Sequence, residues 1–128
     1  MQIGILGGGI GGLSSAIALK QAGFEVEVYE RHNKPTEIGA GIVCWPNASF
    51  VLERLGVLDK VADVSGTIDA MSRFSSSGES LGSLEIHPLN QAMGYPSFAI
   101  LRQDLMKILT ARAQALSISI HYSHNFLA

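Results

Sequence analysis

Three glycines near the start of the chain have the types and spacing that can bind a phosphate group. Gly7, Gly9 and Gly12 form a G-x-G-x-x-G pattern between a short apolar stretch, residues 3–6, and a helix-forming segment. Such a turn lets the backbone approach a dinucleotide pyrophosphate, which then lies at the N–H groups and positive dipole end of the following helix. The chemistry needs no lysine, because the backbone supplies the donors. The pattern therefore predicts a dinucleotide site at this turn.

A carboxylate follows at the distance that a ribose-binding acid requires. Glu30 comes 18 residues after Gly12, at the end of an alternating apolar and polar segment, residues 24–30, which predicts a strand. A carboxylate there can accept hydrogen bonds from adenosine ribose hydroxyls, and it repels a 2′-phosphate, which disfavours NADP. An ordinary solvated acid is the alternative. The upstream glycines make ribose binding the preferred interpretation.

The elements that must position these residues begin as a βαβ unit. Residues 3–6 predict a short buried strand, and residues 10–21 predict a helix, since apolar side chains recur at intervals of three and four. The next clear helix, residues 102–116, follows only after an insertion of about 70 residues. It leads into a third strand at 118–122, whose alternation is typical of a sheet edge.

The insertion has its own predicted elements. Two helices and two strands are expected, at residues 47–55, 58–64, 67–75 and 81–86. The two strands would form a hairpin around the turn at 76–79. Residues 39–43 predict a glycine-rich apolar turn or strand, and residues 88–96 a loop.

Composition narrows the possible functions. The chain has 128 residues, a net charge of −2 and no basic cluster, which argues against nucleic acid as a partner because nothing would neutralise its phosphates. No apolar run reaches the roughly 18 residues that a membrane span needs. The single cysteine, Cys44, excludes an internal disulfide and favours a cytoplasmic location. The four histidines lack metal-ligand spacing, so we expect no metal site.

Taken together, the motifs resemble those of the FAD-dependent aromatic hydroxylases, single-component flavoprotein monooxygenases such as the p-hydroxybenzoate, salicylate and urate hydroxylases. The resemblance rests on six segments: Gly7-x-Gly9-x-x-Gly12-Leu13, Tyr29-Glu30-Arg31, Gly39-Ala40-Gly41-Ile42, Trp45-Pro46-Asn47-Ala48, Leu55-Gly56-Val57 and Ile100-Leu101-Arg102-Gln103-Asp104-Leu105. The G-A-G-I and P-N-A segments look more like the salicylate and urate branch than the ubiquinone-biosynthesis branch. The match covers nearly the whole chain, and the joint pattern is far more specific than the glycine turn alone.

The resemblance implies an α/β fold class. We expect an incomplete FAD-binding, Rossmann-like three-layer fold, with three parallel strands and crossover helices. Part of an inserted antiparallel-sheet substrate domain is expected beside it. Within a truncated FAD-binding domain at 1–128, the dinucleotide-binding βαβ unit would span residues 1–32. The insertion with its partial substrate-domain hairpin would span 33–99, and the crossover helix with the third strand 100–128.

The resemblance also implies which residues bind the cofactor, FAD. Four glycines would line the pyrophosphate turn: Gly7, Gly9, Gly11 and Gly12. Glu30 would hold the ribose, with Arg31 beside the adenosine. The backbone of three residues would pass near the flavin: Gly41, Ile42 and Val43. Arg102 would lie near the FAD phosphates, where its planar guanidinium can bind two oxygens. For both arginines a solvated surface position is the alternative.

For a complete parent enzyme, the resemblance implies that NAD(P)H reduces FAD, which then uses O₂ to hydroxylate an aromatic or related ring. Two later motifs of the family, D-G and G-D-x-A-H, do not occur in these 128 residues. We therefore expect the N-terminal part of a longer enzyme, inactive by itself, in which no catalytic base or substrate ligand can be assigned. One flank of residues 3–6 would be unpaired, which favours a homo-oligomer formed through the sheet edge.

Three alternatives remain at the level of the sequence. Another FAD oxidoreductase, such as an amine oxidase or a carotenoid-type oxidase, would share residues 7–30 and diverge afterwards. A non-catalytic nucleotide-binding or dimerising fragment would form a stable oligomer without taking up flavin. A plain NAD dehydrogenase is disfavoured by the long insertion.

Overall fold

The computed structural model of the protein describes residues 1–35 and 39–127. Within these ranges the chain forms eight strands and five helices. In chain order they are β1 (Gln2–Leu6), α1 (Ile10–Gln21), β2 (Glu25–Tyr29), β3 (Gly41–Cys44), α2 (Pro46–Arg54), α3 (Leu58–Val64), β4 (Gly66–Thr67), β5 (Ala70–Phe74), β6 (Ser80–Glu85), α4 (Ile86–Met93), β7 (Phe98–Leu101), α5 (Arg102–Ala115) and β8 (Ser119–His121). One parallel and two antiparallel sheets confirm the predicted α/β fold class. None of the helices among the described residues has both the length and the hydrophobicity that a membrane-spanning helix requires.

The parallel sheet has the strand order β1–β2–β8. Leu6 pairs with Tyr29, and Tyr29 pairs with His121, so the carboxyl ends of all three strands meet at one edge. The alternating third strand, β8, lies at a sheet edge as predicted, and β1 is the other edge strand of the described chain. Ligands of open α/β sheets bind outside the carboxyl ends of the strands. The predicted site residues should therefore meet at this edge.

Helices α1 and α5 cover one face of this sheet. Leu13 of α1, Leu109 of α5 and Val28 of β2 are at most 1% exposed and belong to one core. Full burial of a leucine or valine side chain contributes about 1.5–3 kcal/mol, so the facing stripes of the two helices stabilise the unit. Residues 3–6 form a strand as predicted, but the prediction that it is buried is wrong, because Ile3 and Ile5 are only half-buried and Leu6 is 61% exposed on the opposite face.

The insertion adds two antiparallel sheets. β3 pairs with β7, which also pairs with β4, and Gly41 lies opposite Leu101 at the point where β7 leads into α5. β5 and β6 form the predicted hairpin around residues 76–79. The predicted strand at 67–75 is divided between two sheets, because Thr67 pairs with β7 while β5 pairs with β6.

The prediction of a loop at residues 88–96 is wrong, since most of this segment belongs to α4. Pro88 stands in the first turn of α4, where its missing N–H costs no helical hydrogen bond. Ile86 is fully buried and anchors the helix. Gly94 ends the helix with a φ of +74° and donates its N–H to the Asn90 carbonyl oxygen at 2.9 Å. The proline and glycine therefore mark the ends of a helix.

Candidate functional site

The turn between β1 and α1 needs two of its glycines for the fold itself. Gly7 has a φ of +103°, a region that side chains resist, and its N–H donates to the Tyr29 carbonyl oxygen at 2.8 Å. Gly12 lies against the same turn, because a Cβ built on it would stand 1.9 Å from the Gly7 carbonyl oxygen. These two glycines hold α1 close to β1 and β2.

The amino end of α1 is open. Gly9 precedes the helix with an extended backbone, no side chain among residues 1–35 and 39–127 caps the first turn, and that turn contains no acidic residue. Within the described chain, a Cβ at Gly9 or Gly11 would meet no atom within 4 Å. The unpaired N–H groups and the positive end of the helix dipole therefore face free space, which suits an anion.

The Glu30 carboxylate lies beside this open helix end. Its Oε2 accepts a hydrogen bond from the Gly8 N–H at 2.6 Å, and its Oε1 accepts one from the His32 N–H at 2.9 Å. The side chain is 13% exposed. Burial disfavours ionisation, but the hydrogen bonds from the N–H groups of His32 and Gly8 and from the His32 ring lower the pKa of Glu30 below its ordinary value. Glu30 is therefore an ionised acceptor at neutral pH.

A cleft of about 130 Å³, here called the polar cleft, brings together residues from four parts of the chain. Its lining residues are Gly8, Gly9, Glu30, His32, Lys34, Pro35, Arg102, Met106 and Tyr122. The basic side chains of Lys34 and Arg102 and the amino end of α1 thus border one space. The Glu30 carboxylate, which can accept hydrogen bonds from ribose hydroxyls, borders the same space. This combination is suited to a phosphorylated nucleoside.

Arg102 lines the polar cleft, and the insertion passes close to its side chain at Gly39, which has no side chain of its own. Arg102 opens α5, and its N–H donates to the Ala40 carbonyl oxygen at 3.2 Å. A Cβ at Gly39 would lie 2.8 Å from the Arg102 Cβ. Any side chain at position 39 would therefore push against the stem of Arg102.

A second cleft of about 320 Å³, here called the aromatic cleft, adjoins Glu30 on the side of the strand ends. It is lined by Leu6, Gly7, Tyr29, Glu30, Arg31, His32, His124, Asn125 and Phe126. The Tyr29 ring stacks on His121 with centroids 4.8 Å apart, and His124 meets Tyr29 edge-on at 5.8 Å. The cleft thus offers a flat aromatic wall next to the carboxylate.

Comparison with known proteins agrees with this geometry. The profile of the family described as FAD binding domain matches residues 1–128. The chain belongs to this family. An FAD-dependent urate hydroxylase of Mycolicibacterium vanbaalenii is 34% identical over 110 residues, which are 85% of this chain and 28% of that protein. An FAD-dependent urate hydroxylase of Klebsiella pneumoniae is 34% identical over 108 residues, which are 84% of this chain and 28% of that protein.

Solved structures share the fold. The tetrameric form of 2-methyl-3-hydroxypyridine-5-carboxylic acid oxygenase matches 95% of this chain, with a TM-score of 0.84 and 34% identity. Klebsiella pneumoniae HpxO complexed with FAD and uric acid matches 96% of it, with a TM-score of 0.79 and 29% identity. This chain spans 31% of each of those chains and 28% of the two urate hydroxylases. It corresponds to their FAD-binding N-terminal part.

FAD is therefore the group that the site must accommodate, and the residues present fit it. The open end of α1 suits a pyrophosphate, because the space in front of Gly9 and Gly11 is free of described atoms within 4 Å of a Cβ built at either residue. The ionised, largely buried carboxylate of Glu30 suits the ribose hydroxyls.

The structure distributes the ten predicted cofactor-binding residues unevenly. Three line the polar cleft: Gly9, Glu30 and Arg102. Two line the aromatic cleft in addition to Glu30: Gly7 and Arg31. Five line neither cleft among the described residues: Gly11, Gly12, Gly41, Ile42 and Val43. The last three belong to β3, which is held in an antiparallel sheet with β7. The roles of all ten residues as FAD ligands stay predictions.

Six residues that line the polar cleft were not predicted from the sequence, and three of them have polar side chains: His32, Lys34 and Tyr122. Tyr122 directly follows β8, whose pairing with β2 brings the ends of both strands to one edge, so its place was deducible. Burial and the nearby Glu30 charge raise the pKa of Tyr122, which keeps its hydroxyl a neutral donor. His32 and Lys34 gave no signal, because their positions depend on the path of the chain after β2.

Proposed function

We propose that this chain is the FAD-binding part of a monooxygenase that hydroxylates an aromatic or related ring, with NAD(P)H as reductant and O₂ as oxidant. The observation that carries the proposal is the polar cleft, where the open end of α1, Glu30 and Arg102 border one space. When bound, FAD supplies the electron-transfer and oxygen chemistry. The described residues contribute binding and orientation of the cofactor.

Each group in the cleft has a separate role in this proposal. The N–H groups at the start of α1 bind the pyrophosphate, and the guanidinium of Arg102 adds charge-assisted hydrogen bonds to its oxygens. Glu30 accepts hydrogen bonds from the adenosine ribose. Arg31 and the aromatic cleft take the adenine side. The backbone of residues 41–43 borders the flavin side.

The wider assignments follow from the relatives. Support for an aromatic substrate comes from the urate hydroxylases and from the HpxO complex with uric acid. We assign the βαβ unit to residues 1–32, the insertion to 33–99 and the crossover helix with the third strand to 100–128. Cys44 is a free, buried thiol, which supports a cytoplasmic location. Self-association through the β1 edge is expected, with no nucleic-acid partner.

A flavin titration tests the proposal. Titrating the full chain with FAD, followed by flavin fluorescence, should give saturable binding, whereas NAD should bind more weakly. Arg102→Ala should weaken FAD binding at least about tenfold, since one charge-assisted contact is worth roughly 1.5–3 kcal/mol. The matched control is Arg73→Ala on the exposed hairpin strand β5. A folded chain that binds no FAD, or equal effects of the two replacements, would overturn the assignment.

A further inference from the structure

We propose that His32 is a positioning residue that orients the Glu30 carboxylate toward the adenosine ribose. The inference rests on the proposed binding of FAD and names a residue that acts on it through Glu30. The ring Nδ1 of His32 lies 2.6 Å from Glu30 Oε1, and the His32 N–H donates to the same oxygen at 2.9 Å. The histidine thus holds one carboxylate oxygen from two directions.

The two oxygens of Glu30 are therefore unequal. A carboxylate has about four acceptor positions, two on each oxygen. The two N–H groups of His32 fill those of Oε1, whereas Oε2 receives, from the residues that the structure describes, only the Gly8 N–H, at 2.6 Å. Oε2 keeps the remaining capacity, which makes it the oxygen that is available to a ribose hydroxyl. Without the imidazole the carboxylate could rotate and share its capacity between both oxygens.

The backbone around His32 is fixed independently of its ring. The His32 carbonyl oxygen accepts the Ser123 N–H at 2.9 Å, and the Glu30 carbonyl oxygen accepts the His124 N–H at 2.9 Å. Both contacts tie the turn after β2 to the segment after β8. Removing the imidazole should therefore leave the path of the chain unchanged and alter only the hold on the carboxylate.

The ring contact does not depend on the charge of the imidazole. Nδ1 donates to Oε1 in the neutral tautomer that carries its proton there, and also in the imidazolium. The other charged or titratable groups nearby are Lys34, Arg102 and Tyr122 in the polar cleft and Arg31 and His124 in the aromatic cleft. They line the two clefts, and among the described hydrogen bonds none of their side chains contacts Glu30 Oε1 in place of His32 Nδ1.

Ribose analogues separate this role from a merely structural one. The probes are ADP and its 2′-deoxy and 3′-deoxy forms, titrated into the full chain by calorimetry. The unsubstituted chain should bind ADP about tenfold more tightly than at least one deoxy form, because one charge-assisted hydrogen bond is lost. In His32→Ala, ADP should weaken about fivefold while that deoxy form changes less than twofold. Glu30→Gln should likewise reduce the difference in affinity between ADP and that deoxy form.

A conservative replacement and a neighbouring control complete the test. In His32→Asn the side-chain amide stands where Nδ1 stood, so at least half of the discrimination should return. Asn33→Ala alters an exposed neighbour and should leave the ratio unchanged. Equal weakening of ADP and its deoxy forms in His32→Ala, with an unchanged circular dichroism spectrum, would overturn the positioning role while ADP binding itself survives. An unsubstituted chain that binds neither ADP nor FAD would overturn the proposed function, and this inference with it.

Discussion

Replacing Gly12 by alanine should damage the fold, whereas the same replacement at Gly9 should damage only the binding of the cofactor. The new Cβ at Gly12 would stand 1.9 Å from the Gly7 carbonyl oxygen and 3.0 Å from its carbonyl carbon. Ordinary contact begins at 3.4 Å, so α1 and the turn would have to separate by about 1.5 Å. Backbone on both sides of the contact leaves no flexible side chain to yield.

The expected changes in the free energy of unfolding differ because Gly12 is packed against backbone whereas Gly9 faces free space. Overpacking of this kind costs typically 1–3 kcal/mol and occasionally more, and a backbone clash belongs at the upper end, about 3 kcal/mol. Gly9 has an extended backbone, with φ −77° and ψ −174°, and free space for a methyl group. Gly9→Ala should therefore change the free energy of unfolding by less than about 0.5 kcal/mol. Its methyl group would occupy the position of the pyrophosphate and weaken FAD binding at least tenfold.

Urea unfolding at 25 °C, followed by circular dichroism, measures the stabilities, and flavin fluorescence measures FAD binding. A loss of 3 kcal/mol corresponds to roughly 10 °C in Tm for a domain of this size. Gly11→Ala is a useful control, because alanine at this exposed helical position should stabilise the chain by up to about 1 kcal/mol. If Gly12→Ala unfolds at the same urea concentration as the unsubstituted chain, the packing argument is wrong.

Three further outcomes are expected. Gly39→Ala should weaken FAD binding severalfold, because its Cβ would lie 2.8 Å from the Arg102 Cβ and displace that side chain. The lowered pKa of Glu30 means that its contribution to stability is complete above the ordinary value of 4.5 and is lost as the pH falls through the folded-state value, so Glu30→Gln should flatten this acid slope. Leu109→Ala, at a fully buried position, should cost about 2–5 kcal/mol of unfolding free energy.

Each of these has a matched control and a measurement. Gly66→Ala should leave FAD binding nearly unchanged, since the nearest atom to its Cβ is the Ala99 carbonyl oxygen at 3.9 Å. Urea midpoints between pH 7 and pH 3 test Glu30, and an acid slope that survives Glu30→Gln would contradict the assignment. Leu101→Ala, at a residue 48% exposed, should cost far less than Leu109→Ala, and similar losses would refute the described core.

Local patterns were sufficient for the βαβ unit. The glycine spacing, the apolar stripe of α1 and the alternation of β2 involve residues close together in the chain, and the structure has these elements within two residues of the predicted bounds. The same holds for α5 and for the edge position of β8. Helix α4 does not follow from the local sequence, because proline and glycine occur in loops as well as at helix ends, and the structure places Pro88 and Gly94 at the two ends of a helix.

Which residues line the polar cleft depends on packing between segments that are distant in the chain, more than on local sequence patterns. Local sequence was enough to predict the dinucleotide turn and the strand-end acid Glu30, and the resemblance to a family added Arg102 as a predicted phosphate ligand. The packing of distant segments showed that Arg102 lies against Gly39 and borders the same cleft as the start of α1, and that His32 contacts the Glu30 carboxylate. A local pattern records which face of an element is apolar. It does not indicate which distant segments come into contact, because that depends on how the sheets and helices pack together.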